Sequence, residues 1–427
     1  MDFADLFTAS ARQVLPAASA KGLVSYFDYR GQYVDVEFDE DQLRRAMHRI
    51  LCGLHDMIDE GILLLTADAT VSTSDWCHLR ISAASSSTPR SGGVVAQILQ
   101  RLRLAELPAA SIVVAGGREA QGICTVTGAA LSFAFVPGEG TAFVWQRSFR
   151  MRSAADPEEH HPKAAGSVAW LIESPAVILA SIERRLRRMG WSIVRYASID
   201  IAERASNDQA PMLFIVGESS AQDLDQLDRI ARRWPSTWVV LGVLNGSRAV
   251  SARSTNGVDV RVLPLSPHDL DAFTDWVDPA TSTPDSLTTV PSRLYDDTRR
   301  TILVVDDHYV NQLVARGLLE SLGYEVVVAD NGEQALAACR AHAPDLVLMD
   351  LNMPGMGGEE AARRLRAWQG EGEVPPFPII AATAQHRSDA LRACRDSQMD
   401  GLLEKPLRRE LLSAEVMRLL PEPMRLR

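Results

Sequence analysis

The chain has 427 residues, 46% of them hydrophobic and 23% charged, with a formal net charge of −11. That length exceeds one ordinary core and predicts two to four domains, while the acidic balance argues against a general nucleic-acid binder, which carries a basic stripe. Five scattered cysteines (Cys52, Cys77, Cys124, Cys339, Cys394) form no C-x-x-C pair, which predicts a reducing compartment and no zinc site. The longest apolar runs, such as residues 62–65 and 112–115, fall far short of the ~20 residues a membrane helix needs. Asp2 and Asp5 stand where a signal peptide would be basic, so a cytoplasmic protein with no membrane partner is expected. Two polar stretches rich in helix and strand breakers, residues 146–166 and 278–300, read as linkers. They divide the chain into a block at 1–147, a linker at 148–166, a block at 167–278, a linker at 279–299 and a last block at 300–427.

In the first block, Ser19-Ala20-Lys21-Gly22-Leu23 leads into strand material, and Asp41 opens a predicted helix reaching about residue 59. Residues 61–67 and 76–83 read as strands, and Pro137-Gly138-Glu139-Gly140 turns into a final one. This order resembles the ATP-binding domain of histidine kinases over most of residues 16–147, which implies helices layered on a mixed sheet. By that resemblance the nucleotide site has lost its contacts. Arg49 and Gly53 stand where the family's helix offers asparagines to Mg²⁺ and phosphate. Ser85 falls near the aspartate that recognises adenine, and Ser87 near the first glycine of the same box. The glycine-rich lid falls at Gly92-Gly93 or at Gly116-Gly117. A buried adenine edge left unpaired loses ~1–3 kcal/mol, so ATP hydrolysis or transfer is not expected. His55-Asp56 superficially matches the His-Asp of some kinases, but its helix already serves the ATP-domain alignment. His48, His78, His160 and His161 lack the usual acid-then-proline context, and the chain before Lys21 is short for a two-helix dimerisation hairpin.

The second block alternates predicted strands at 167–172, 192–196, 212–216, 238–243 and 260–263 with helical stretches, the first over 177–189. Its cluster Arg184, Arg185, Arg187 and Arg188 reads either as an anion-binding or partner-binding patch or as a solvated helix end suited to the C-terminal dipole.

The third block repeats the rhythm. Residues 301–305 form a short β-branched run fit for a strand buried on both faces, followed by Asp306-Asp307. A helix then keeps Val310, Leu313, Val314, Gly317, Leu318 and Leu322 at helical spacing. Further strands end at Asp350, at Thr383 and at Glu404-Lys405-Pro406. Five strand–helix units predict a doubly wound parallel sheet with function at the carboxyl ends of its strands. Asp306, Asp307, Asp350, Thr383 and Lys405 all fall there. Three converging carboxylates repel one another unless a hard dication such as Mg²⁺ lies among them, and Lys405 adds a second positive point for a phosphoryl group. Only Lys21, Lys163 and Lys405 among 44 basic residues are lysines, so the lysine before Pro406 is not the habit of this chain.

These residues resemble the receiver domains of two-component signalling. The matches are Val304-Val305-Asp306-Asp307, Leu348-Met349-Asp350-Leu351-Asn352-Met353-Pro354-Gly355, Ile379-Ile380-Ala381-Ala382-Thr383-Ala384 and Glu404-Lys405-Pro406. The resemblance implies that Asp350 accepts a phosphoryl group and that Asp307, Asp350 and the Asn352 carbonyl hold Mg²⁺, with Asp306 in support. It implies that Thr383 and Lys405 read the phosphate and that Ala384 leaves room for the donor. Leu402 departs from the aromatic that many receivers carry three residues before the lysine. Leu411, Leu412, Val416 and Leu419 are expected to be largely core.

Aligned by rhythm, the second block resembles the same fold without its chemistry: Glu173-Ser174 for the acid pair, Gly217 for the acceptor, Val243 or a neighbour for the threonine and Leu263 for the lysine. Glu218 is the one acid near that acceptor position. The fold class expected is thus an α/β sandwich of the kinase ATP-binding type followed by two flavodoxin-like sheets. The whole resembles the C-terminal part of a hybrid histidine kinase. It implies a phosphorelay protein whose donor is a histidine kinase or histidine phosphotransfer protein, with a protein output partner of unknown identity and no direct DNA binding. A second copy of the chain is a further partner in view. Two other readings stand beside it: an active hybrid kinase, and a sensor of a nucleotide second messenger that gates the receiver.

Overall fold

The computed structural model describes residues 2–420 apart from 87–119, 156–163, 278–299 and shorter intervals at 32, 39, 59–60, 74, 127–128, 137–139, 165, 173–177, 206–209, 219–223, 248–256 and 385–386. Its first block is a seven-stranded mixed sheet: β1 (Val24–Gly31), β2 (Tyr33–Val36), β3 (Ile62–Thr73), β4 (Trp76–Ser85), β5 (Ala120–Val126), β6 (Ala129–Val136) and β7 (Gly140–Ala155), ordered β1-β3-β4-β7-β6-β5 with β2 on β7. Helices α1 (Phe3–Ala20) and α2 (Glu40–Met57) cover one face. Asp2 caps α1 by accepting from the Ala4 and Asp5 amides at 2.7 and 3.2 Å, which satisfies two of the orphan donors of a helix start. The apolar side chains of α1 then recur at helical spacing, and Phe7 stacks on Phe27 with ring centroids 4.9 Å apart. The Lys21 ammonium donates to the carbonyls of His55 and Ile58 at 2.9 and 3.1 Å, where a cation at the C-terminal end of α2 opposes the dipole.

Strand β7 continues to Ala155, past the boundary expected at residue 147, pairing Arg150 with Trp76 and Ala155 with Tyr33. Phe149 and Met151 are buried between exposed Ser148, Arg150 and Arg152, so this polar stretch is a strand with one dry face rather than a connector. The rest of that linker, at 156–163, lies outside the described residues, as do the turn at 137–139, Ser87, both candidate glycine pairs, His160, His161 and the linker 279–299.

The second and third blocks are parallel five-stranded sheets of one topology. The second holds β8 (Val168–Ile172), β9 (Ser192–Tyr196), β10 (Leu213–Gly217), β11 (Trp238–Val243) and β12 (Val258–Val262). Its helices are α3 (Ile178–Arg188), α4 (Ile199–Ala205), α5 (Leu224–Arg233) and α6 (Pro267–Trp276). The third holds β13 (Thr301–Val305), β14 (Glu325–Ala329), β15 (Leu346–Asp350), β16 (Ile379–Thr383) and β17 (Gly401–Glu404). Helices α7 (Tyr309–Ser321), α8 (Gly332–Ala341), α9 (Gly358–Glu371), α10 (Arg387–Asp396) and α11 (Arg409–Leu419) connect and flank them. Both sheets run in the order 2-1-3-4-5, the doubly wound arrangement whose switch point lies between the first and third strands. Leu263–Pro264 and Lys405–Pro406 are both cis. In α11, Leu412 and Val416 are buried and Leu419 partly so, but Leu411 is 55% exposed, because that part of the expected core stripe turns away from the sheet.

The face of the first sheet opposite α1 and α2 is covered by the third block. Tyr26, Ile62, Leu64, Ala84, Ala142 and Val144 share one buried cluster with Val310, Leu313, Val314 and Leu318 of α7. Gly317 makes that approach: a Cβ placed there would stand 2.6 Å from Leu64 Cδ2. Gly317→Val is therefore expected to destabilise the full chain by ~1–3 kcal/mol through overpacking, more than offsetting the helix propensity gained. Chemical denaturation should show this loss and its partial recovery when Leu64→Ala is added.

Candidate functional site

The acid cluster is built where β13, β15, β16 and β17 end. Four apolar residues in each of β13, β15 and β16 bury these strands between helix layers, so the polar side chains at their ends, Asp306, Asp350 and Thr383, enter the switch-point crevice. After the shorter β17, Glu404 is exposed and Lys405 turns inward. Lys405 Nζ lies 2.6 Å from Asp306 Oδ2 and 2.7 Å from Asp350 Oδ2. All three side chains are nearly excluded from solvent, with 4–6% exposed. Asp306 Oδ1 also accepts from the His308 amide at 2.9 Å and from Asn311 Nδ2 at 3.0 Å. Asp350 Oδ1 accepts from the Asn352 amide at 3.1 Å. Burial raises the Asp350 carboxyl above its ordinary pKa, and the pull of Lys405 does not fully offset it. Burial would lower the Lys405 ammonium, but Asp306 and Asp350 together raise it, so the lysine is held as a cation.

The structure brings Asp306, Asp350 and Lys405 into direct contact, with Thr383 wholly buried one residue pair away, its carbonyl accepting from the Lys405 amide at 2.9 Å. Asp307 stands at the partly open rim, its Oδ1 3.1 Å from His308 Nδ1. Asn352 and Ala384 are exposed at the mouth. Ligand atoms of Asp306, Asp307 and His308 all lie within 4.8 Å of one another. A donor set led by carboxylate oxygens is what a hard dication such as Mg²⁺ prefers, and the excess of negative charge over one lysine fits it.

The sequence reading missed His308, Asn311 and Gln312. Gln312 Nε2 donates to the Asp306 carbonyl at 2.6 Å and to Asp330 Oδ1 at 2.8 Å. Asn311 and Gln312 are both buried, and their signal was available: two adjacent amides interrupt the first turn of an otherwise apolar helix face.

The second block shows the same register without the charges. Asp350 pairs with Ala382 and the Lys405 amide bonds to Thr383; correspondingly, Gly217 pairs with Gly242 and the Leu263 amide bonds to the Val243 carbonyl at 2.8 Å. Leu263 is buried, and a Cβ on Gly242 would stand 2.9 Å from its Cδ2, so the lysine position has become core. Glu218 is exposed and accepts from the Ser247 hydroxyl. Glu173-Ser174 lies outside the described residues. The arginines of α3 divide: Arg188 is exposed at the helix end, whereas Arg184 and Arg185 face the first block. Arg184 meets Asp28 at 3.0 Å, and Arg185 donates to the Tyr33 hydroxyl at 2.8 Å, both on the first block. Arg187 pairs with Glu183 of its own helix at 2.7 Å. In the first block, Ser85 is fully buried at the end of β4, paired with Thr141; the side chains of Arg49, Gly53 and Asp56 lie outside the described residues.

The acid pocket closed by a lysine lies at the switch point of a 2-1-3-4-5 sheet, where folds of this order hold their functional groups. Residues 302–417 match the response regulator receiver domain, and the chain is a two-component signalling protein. It is similar to the sensor histidine kinase GacS of Pseudomonas protegens, at 25% identity over 439 residues, covering 97% of this chain and 46% of that protein. The chain thus spans less than half the length of that relative. Among solved structures, full-length ShkA in complex with AMPPNP is 23% identical, with a TM-score of 0.41, over 98% of this chain and 84% of that one. The receiver domain of the sensor histidine kinase PA1611 from Pseudomonas aeruginosa, with magnesium coordinated in its active site cleft, is 34% identical over 29% of this chain and 98% of that one, with a TM-score of 0.26. Among the described residues no helix is long and apolar enough to cross a membrane.

Proposed function

We propose that the chain accepts a phosphoryl group on Asp350 from a histidine kinase or histidine phosphotransfer protein and signals through contacts between proteins. The observation that carries this reading is Lys405 Nζ held at 2.6 and 2.7 Å from two buried carboxylates, Asp306 and Asp350, at the strand ends. Asp350, at the end of the central strand, is the nucleophile in this reading, supported by its match to the acceptor position of the receiver motif. The phosphorus–nitrogen bond of the donor breaks as the phosphorus–oxygen bond to Asp350 forms, and the imidazole leaves with a proton from solvent. Lys405 then balances the charge of the acyl phosphate, and the Thr383 hydroxyl would read it. Asp306, Asp307, Asp350 and the Asn352 carbonyl would hold Mg²⁺, which neutralises charge on a phosphoryl group in transfer. Beryllofluoride with Mg²⁺, a mimic of the aspartyl phosphate, should bind the chain saturably, as read by calorimetry. No binding by the wild-type chain would defeat the proposal.

The front blocks serve in this reading as interaction modules. Gly217 and Leu263 put neither an acceptor nor a counter-charge at these two positions of the second sheet, and Ser85 offers no carboxylate to an adenine edge. Mg²⁺-ATP titrated into the chain should give no saturable heat at millimolar ligand; a dissociation constant in the micromolar range would favour an active hybrid kinase instead.

A further inference from the structure

The three blocks meet at one buried ionic junction. Asp28 on β1 receives Arg30 Nε at 2.8 Å and Arg184 Nη1, from the second block, at 3.0 Å. Glu320 on α7, from the third block, pairs with Arg30 and lies 3.6 Å from Arg184 Nη1 and 3.4 Å from the Tyr26 hydroxyl. The Tyr26 hydroxyl also contacts Arg184. Asp28, Tyr26 and Glu320 are all buried. Burial would raise the Asp28 carboxyl, but Arg184 and Arg30 hold it below its ordinary pKa. Two anions meet two cations here, with Arg316 of the third block beside Glu320 and Arg30. Without the second block Asp28 and Glu320 lose Arg184, and without the third block Arg30 and Arg184 lose Glu320; breaking a buried pair in this way is strongly destabilising.

The junction sits at the C-terminal end of α7, and the seam runs along that helix to the acid pocket. Gly317 brings the helix against Leu64, and Leu313 and Val310 continue the contact. At the other end, Tyr309 follows directly on Asp306, Asp307 and His308, and the Arg80 guanidinium of β4 stands 4.8 Å from its ring centroid. The first block thus reaches the α7 end of the pocket's rim at Tyr309, whose outer side stays exposed. A small-molecule phosphodonor reaches Asp350 through the mouth at Asn352 and Ala384. A protein donor must seat a surface around the mouth, and the face of α7 that carries Val310, Leu313 and Gly317 is already taken by the first sheet.

We propose that the first sheet is an intramolecular clamp on α7, latched by Asp28, Arg30, Glu320 and Arg184, and that its release admits a phosphohistidine-bearing protein to the receiver. This rests on Asp350 being the acceptor. Transfer from a protein donor then scales with the fraction of molecules open, and a closed majority lowers the apparent rate by that fraction. Because Arg184 comes from the second block, any ligand or partner that draws α3 away opens the clamp.

The test uses the full chain, with Arg184→Ala and Glu320→Gln as separate variants. In each, hydrogen exchange across residues 310–320 should accelerate, and transfer from a phosphohistidine protein should rise about tenfold or more. Phosphorylation by acetyl phosphate and binding of beryllofluoride should stay at the wild-type level, which also shows that the receiver remains folded. Faster exchange with unchanged protein-donor transfer would overturn the clamp. Loss of beryllofluoride binding in the wild-type chain would instead strike the acceptor assignment on which the clamp rests.

Discussion

Asp350→Asn is expected to reduce phosphoryl acceptance from a competent phosphohistidine donor to background, whatever the donor concentration. The amide keeps the volume of the carboxylate and one acceptor oxygen, which can still take the Lys405 ammonium, and the Lys405–Asp306 pair is untouched, so the pocket should still fold. An amide oxygen is too weak a nucleophile to form the acyl phosphate, so the loss is chemical rather than structural. The effect should be total, because the other pocket acids are differently placed. Asp306 is fully engaged by the His308 amide, Asn311 and Lys405, and Asp307 stands at the rim beside His308. Labelled transfer at matched protein concentration measures it, and incorporation at the normal rate would refute the assignment.

Lys405→Met carries the largest expected effect on stability. The ammonium is 4% exposed between two carboxylates that are each 6% exposed, so its removal leaves like charges facing each other in a dry pocket. Breaking a buried pair in this way costs ~3–5 kcal/mol, against ~0–1 kcal/mol for a surface pair. Chemical denaturation without Mg²⁺ should therefore show the midpoint of the receiver falling steeply. Added Mg²⁺ should stabilise the variant more than the wild-type chain, because a dication replaces the missing charge by mass action. A deficit near that of a surface pair would mean that the lysine is solvated and does not close the pocket.

The third block was legible in the sequence because its physics is local. Short apolar runs bounded by turn residues and alternating with helical stretches read as buried parallel strands, and acids at the ends of such strands share one crevice. The second block was legible by the same rhythm, and the register bears on the reading at Gly217, Val243 and Leu263. The first block was read in part. Helix α1 escaped because Pro16 and a run of alanines and serines hid the spacing of Phe3, Phe7, Ala11, Val14 and Ala18. The far end of β7 escaped because its exposed residues are charged, although Phe149 and Met151 alternate with them.

What the sequence conceals most is which surfaces are turned inward by another block. Arg184 and Arg185 have the composition of a solvated helix end, and only the position of Asp28 and Tyr33 across the seam makes them buried partners. Gly317 reads as one more small residue on an apolar stripe, while its use is to let α7 meet Leu64. Leu411 keeps core spacing yet faces solvent, since one extra apolar position on a short helix need not find a neighbour. Leu402, in place of the usual aromatic, is only partly buried, packed beside Ala381 and Leu351. A leucine there transmits displacement by contact rather than by a ring changing its exposure.

The central claim is that the phosphoryl group resides on Asp350. Phosphorylated full-length chain should be reduced with tritiated borohydride, which converts an acyl phosphate on aspartate to homoserine, and then digested and sequenced by mass. The account predicts a single homoserine at position 350, with Asp306, Asp307 and Glu218 intact and no phosphohistidine in the first block. Homoserine at any other position, or stable label on His55, would contradict it.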